Sequence, residues 1–116
     1  MLNVARAAFA FRAREESKSE RASLRAAEIL GRLPEPVAVL RREFGVEGVR
    51  LFGSLATRVF HGESDLDLLV HGLCSKQHID AMVAVAGIVG CTVDLVRVQE
   101  ASKSLLDRVD QEGIDL

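Results

Sequence analysis

The sequence predicts a small α/β (α+β) domain, a mixed three-stranded sheet with flanking helices. Three short apolar runs, VRLF (49–52), DLDLLV (65–70) and TVDLVRV (92–98), read as strands bounded by turn residues. The segments around them carry apolar residues at helical spacing. The link between the first two strands is short, which leaves room for an antiparallel pair and does not force an all-parallel sheet.

Taken in order, residues 12–30 are rich in Arg, Glu, Ala and Ser, with Leu24, Ala27 and Leu30 as an apolar stripe. They predict a helix that ends at Gly31, very polar in its first half. Pro34 and Pro36 interrupt the chain, and Pro36 suits a first helical turn. Val37, Leu40, Arg41 and Phe44 then continue at helical spacing to Gly45, a natural left-handed cap. VRLF runs into Gly53-Ser54, and a short helix or turn extends through Val59 to the turn-rich HGES (61–64). After DLDLLV, Ser75 can cap a helix whose Ile79, Met82, Val83 and Ala86 form one stripe, ending near Gly87 or Gly90. TVDLVRV follows. A last helix through Leu105, Leu106 and Val109 stops at Gly113.

A chain of 116 residues makes one compact domain, with no room for a separate lid. The net charge of −2 is unevenly spread. Residues 1–50 hold ten basic and seven acidic side chains, residues 51–116 five and ten. The basic excess is either a partner-facing surface or a solvated helix face. Cys74 and Cys91 form no C-x-x-C pair and read as reduced thiols. His61, His71 and His78 fit no ligand spacing and read as surface or turn histidines. The opening MLNVARAAFAF is broken by Arg6, and no stretch nears the ~18 apolar residues of a membrane span. The expected location is the cytoplasm, with no membrane contact. With no Trp or Tyr and five Phe there is little surface for stacking single-stranded nucleic acid.

The informative anomaly is aspartate inside strands. Asp65 and Asp67 alternate, so they share a face, while Leu66, Leu68 and Val70 take the other. Asp65 can be a turn residue at the strand entrance, but Asp67 lies between two leucines. Asp94 repeats the pattern between Val93 and Leu95. One strand aspartate is often half of a structural ion pair. Three on neighbouring strands point to a metal site, and hard oxygen donors favour Mg²⁺ or Mn²⁺ over zinc. Two such ions can stabilise both oxygens of a phosphoryl displacement. Gly53-Ser54 adds a turn where backbone N–H groups and a hydroxyl can meet a phosphate.

The combination of strand, Gly-Ser, ten residues, Asp-x-Asp and a third Asp on a later strand resembles the DNA polymerase beta-like nucleotidyltransferases. The wording REFGVEGVRLFGS…SDLDLLV…VDLV is similar to the minimal nucleotidyltransferases, the MNT or MntA-type antitoxins. The resemblance spans roughly residues 37–113. It implies a polymerase beta-like nucleotidyltransferase domain over 35–116 and leaves unexplained residues 1–34, which read from their composition as a charged helical extension. It implies ATP as substrate, Gly53 and Ser54 on the β- and γ-phosphates, and Asp65 and Asp67 on two Mg²⁺ ions. Asp94 would ligate the catalytic ion and help deprotonate the attacking hydroxyl. The implied partner is a HEPN-domain toxin that receives NMP on a hydroxyl, in some members AMP on a tyrosine. The chain has no tyrosine of its own, so a tyrosine acceptor must come from a partner. The family's x-A-R-G after Gly-Ser is replaced by Leu55-Ala56-Thr57-Arg58. Arg58 either serves the phosphates from one residue along or faces solvent. The alternative reading is a non-catalytic antitoxin that neutralises its toxin by contact.

Overall fold

The computed structural model describes residues 20–58 and 65–116. The expected polar first half of the opening helix, the turn 61–64 and His61 lie outside them.

Among the described residues five helices and four strands follow the expected order, with one strand more. Helix α1 runs through residues 20–32. It is followed by α2 (Pro34–Glu43), β1 (Gly48–Phe52), α3 (Ser54–Thr57) and β2 (Leu66–His71). Then come α4 (His78–Val89), β3 (Val93–Arg97), α5 (Lys103–Glu112) and β4 (Ile114–Asp115). The sheet order is β3-β2-β1-β4. β1 is antiparallel to both β2 and β4, while β2 and β3 are parallel. The sheet is therefore mixed but four-stranded. A strand of two residues carries no alternation to read, and β4 exists because β1 offers it a ladder.

The sheet has two differently covered faces. Leu51, Leu66, Leu68, Val70 and Leu95 are buried on one side with Leu40, Ala81, Val85 and Val89 from the helices. On the other side Phe52 and Leu69 pack with Val109 of α5, joined by Val96, Leu105 and Leu106. The first face carries the larger core. The second is shorter, and its remaining length is where Asp67 and Asp94 stand.

Two helices present other faces than their stripes suggest. In α1 the buried residues are Ala22, Ala26 and Ile29, continued by Leu33, whereas Leu24 is 68% exposed. Gly31 does not stop this helix, which continues to residue 32 and turns at Leu33. In α4, Ala81, Val85 and Val89 face the core, and Ile79 and Val83 are exposed. HIDAMVAVAGIV is apolar on more than one side, so several stripes compete. The one bearing Ala81 permits the closest approach. His78 is part-buried, its Nε2 bonded to the Leu95 carbonyl.

Ends are set locally. Gly45 takes a left-handed φ of 67° after α2, and Gly90 one of 70° after α4. Ser102 caps α5, its hydroxyl accepting from the Leu105 N–H at 3.1 Å. Ser102→Ala is expected to cost about 1 kcal/mol, read from the urea midpoint. Arg50 joins the carboxyl-terminal elements to the sheet, reaching Asp110 at 2.9 Å and Asp115 at 2.7 Å.

Candidate functional site

The site forms where β1 leaves the sheet beside the start of β2 and β3. In the parallel pair Asp67 stands in register with Asp94, and in the antiparallel pair it stands opposite Phe52. Parallel register puts both carboxylates on one face, on the side partly covered by α5. Asp65 precedes β2, which starts one residue later than expected, and it is exposed at the strand mouth.

Gly53 explains how the turn and the carboxylates are joined. Its φ of 74° and ψ of −153° lie in a region open essentially to glycine. A Cβ there would collide with the Asp67 carboxylate, so the turn backbone lies directly against that side chain. The Gly53 carbonyl accepts from the N–H groups of Ala56 and Thr57, both at 3.1 Å, which tightens α3 into a single turn. The Thr57 hydroxyl adds a bond to the same carbonyl at 3.3 Å. Thr57 is thus occupied with the turn itself. Arg58 follows in left-handed conformation at φ 64°, exposed. It borders an apolar groove of about 440 Å³ with Leu30, Leu33, Pro34, Val37, Leu51 and Ile114.

The electrostatics are those of unbalanced negative charge. Asp67 has its pKa raised to about 6, first by burial, then by the charges of Asp94 and Asp65. Among the described residues no hydrogen bond or ion pair neutralises Asp65, Asp67 or Asp94. Nor are three His, Cys, Asp or Glu side chains among them gathered closely enough to hold a metal ion unaided. The donor set still suits one. It offers only hard oxygens, and a cation would relieve the repulsion that raises Asp67. Mg²⁺ shares its coordination with waters and substrate phosphates, which suits an open carboxylate pair better than a closed cage.

Of the expected residues, Asp67, Asp94 and Gly53 meet, Asp65 stands within electrostatic reach, and Ser54 opens α3 beside them. A cavity of about 520 Å³ opens elsewhere, around Gly48 and His71. Its arginines are committed. Arg41 donates to the Glu47 and Leu116 carbonyls, and Arg50 holds its two aspartates. No helix among the described residues is long and apolar enough to cross a membrane.

A family model described as polymerase beta, nucleotidyltransferase matches residues 37–116. Among solved structures, the chain is similar to a candidate minimal nucleotidyltransferase at 31% identity and TM-score 0.62, over 81% of this chain and 93% of that one. It is also similar to a chain of a toxin-antitoxin solved with AMP-PNP, at 26% identity and TM-score 0.60. That match covers 69% of this chain and 68% of the other. A mutant MntA-HpeT toxin-antitoxin matches at 27% identity and TM-score 0.61, over 69% and 67%. Among curated protein sequences none matches.

Proposed function

The chain belongs to the polymerase beta nucleotidyltransferase family, and from that membership we propose that it moves AMP from ATP onto a hydroxyl of a protein partner, as the antitoxin of a toxin-antitoxin pair. The observation that carries the proposal is the register of Asp67 with Asp94, both unneutralised, with Asp67 packed against the Gly53 turn. The likeness to a toxin-antitoxin chain solved with AMP-PNP supports both the nucleotide and the setting. The partner we propose is a HEPN-domain toxin, and the site of action the cytoplasm.

The roles follow from position. Gly53 lets backbone approach the triphosphate, and the Ser54 hydroxyl adds a hydrogen bond to a terminal phosphate. Arg58, the single cation of residues 53–58, supplies positive charge at the end of that turn. Asp65, Asp67 and Asp94 would hold Mg²⁺ or Mn²⁺, which when bound screens the phosphate charge and polarises the reacting phosphoryl group. Asp94, at the exposed edge of the pair, would take the proton of the acceptor hydroxyl. The acceptor oxygen bonds to the α-phosphorus, the bond from that phosphorus to the bridging oxygen breaks, and pyrophosphate leaves.

The second reading is neutralisation by contact alone. The commitment of Thr57 to the turn, in place of the family's arginine, favours it, as do the exposed Ile79 and Val83. Labelled ATP, Mg²⁺ and the product of the adjacent gene separate the two. We expect label on the partner, lost with Asp65→Asn and with Asp67→Asn. Toxin neutralisation that survives both substitutions, with no label transferred by the unaltered protein, would establish the contact reading.

A further inference from the structure

We infer that Arg25, on a helix outside the matched stretch, is a positioning residue that aligns the two strand aspartates by fixing the turn into β3. The inference rests on the nucleotidyltransferase reading for its consequence, but its geometry stands by itself. The Arg25 guanidinium donates from Nη2 to the Gly90 carbonyl at 2.5 Å, across 65 positions of sequence. Its Nη1 holds Glu28 at 3.1 Å on the same helix.

Gly90 is the left-handed residue that ends α4, its N–H bonded to the Ala86 carbonyl at 2.8 Å. The last carbonyls of a helix lack intrahelical donors and carry partial negative charge, so a cation there is favourable. Arg25 thus supplies from α1 a donor for the Gly90 carbonyl, the group at which α4 ends. Two residues, Cys91 and Thr92, separate this anchor from β3. The Thr92 carbonyl accepts from the Leu66 N–H at 2.9 Å. Leu66 lies between Asp65 and Asp67, and the same ladder sets Asp67 beside Asp94. The route from Arg25 to the carboxylates therefore has two hydrogen bonds and one tight turn.

Cys91 corroborates the proximity. Burial pushes its thiol up, and the charges of Arg25 and Asp65 act on it in opposite directions. An exposed pair with Glu28 alone would be worth little and would touch nothing near the site. The bond to Gly90 is what gives the guanidinium its reach.

The test compares Arg25→Ala and Arg25→Lys with Ala26→Gly in the full chain. Ala26 is the neighbouring core residue, 1% exposed, and reports loss of helix packing without loss of the anchor. Losing a hydrogen bond to a charged group allows about a tenfold change in a local equilibrium. Arg25→Ala should speed amide hydrogen exchange at Leu66 by about that factor and weaken Mn²⁺ binding, followed by electron paramagnetic resonance in the absence of nucleotide. It should lower kcat for AMP transfer with little change in KM for ATP, and Arg25→Lys should restore part of each. Unchanged exchange and Mn²⁺ binding would overturn the inference, as would equal changes from Ala26→Gly. If the unaltered protein transfers no label, the nucleotidyltransferase reading fails, while Leu66 exchange still decides whether Arg25 holds the strands.

Discussion

Gly53→Ala is expected to abolish nucleotide binding and transfer, and to destabilise the fold by about 1–3 kcal/mol from backbone strain alone. Two independent effects coincide at this residue. Its φ and ψ are unavailable to alanine without strain, and the added methyl would occupy the space of the Asp67 carboxylate. Strain can be relieved only by moving the turn, and collision only by displacing the aspartate. Either movement separates the turn backbone from the carboxylates. Gly45→Ala is the control, because Gly45 also has positive φ but nothing lies within 4 Å of its missing Cβ. It should show the backbone cost without loss of ATP binding. Urea titration and calorimetry with Mg²⁺-ATP measure the two quantities. Full ATP binding by Gly53→Ala would dissociate the turn from the site.

Asp67→Asn should lower AMP transfer by about three orders of magnitude or more, since the cation's stabilisation of transition-state charge amounts to several kcal/mol. The same change should stabilise the metal-free protein at neutral pH. The folded-state pKa near 6 lies above the ordinary 3.8, so the native state holds this proton more tightly than the unfolded chain does. Stability contributed by protonated Asp67 is full below about pH 4, declines as pH rises to about 6, and is absent above. Asparagine has no such decline. Melting curves without divalent ions should show the unaltered protein falling behind Asp67→Asn across that window. Added Mg²⁺ should close the gap only where Asp67 is present. A melting temperature lowered by the substitution at pH 7.5 would refute the proposed electrostatic penalty.

The features legible in the sequence are those that local chemistry dictates. Alternation in DLDLLV identifies a strand and also exposes Asp67 as an anomaly, because a carboxylate between leucines violates the pattern around it. The helix order and the positions of α2, α4 and α5 follow from periodicity and from Gly45, Gly90 and Gly113 at their ends. What escapes is whatever depends on distant chain. Nothing local distinguishes Gly53 from any turn glycine, since its constraint is a carboxylate fourteen positions later. Arg25 looks like one of many charges on a polar helix until Gly90 is beside it. The faces of α1 and α4 are misjudged for a related reason. Where apolar residues surround a helix, the sheet decides which of them it will cover.

The two residues of β4 bear on a different hazard. β1 is an interior strand only because Ile114 and Asp115 lie along its outer side, held there by Arg50 and by the Leu116 N–H to the Val49 carbonyl at 2.9 Å. Without them the apolar run Val49–Phe52 would present a free ladder to other molecules, the template from which strand-to-strand aggregation grows. The shortest element of the fold therefore also serves as the guard of β1 against self-association.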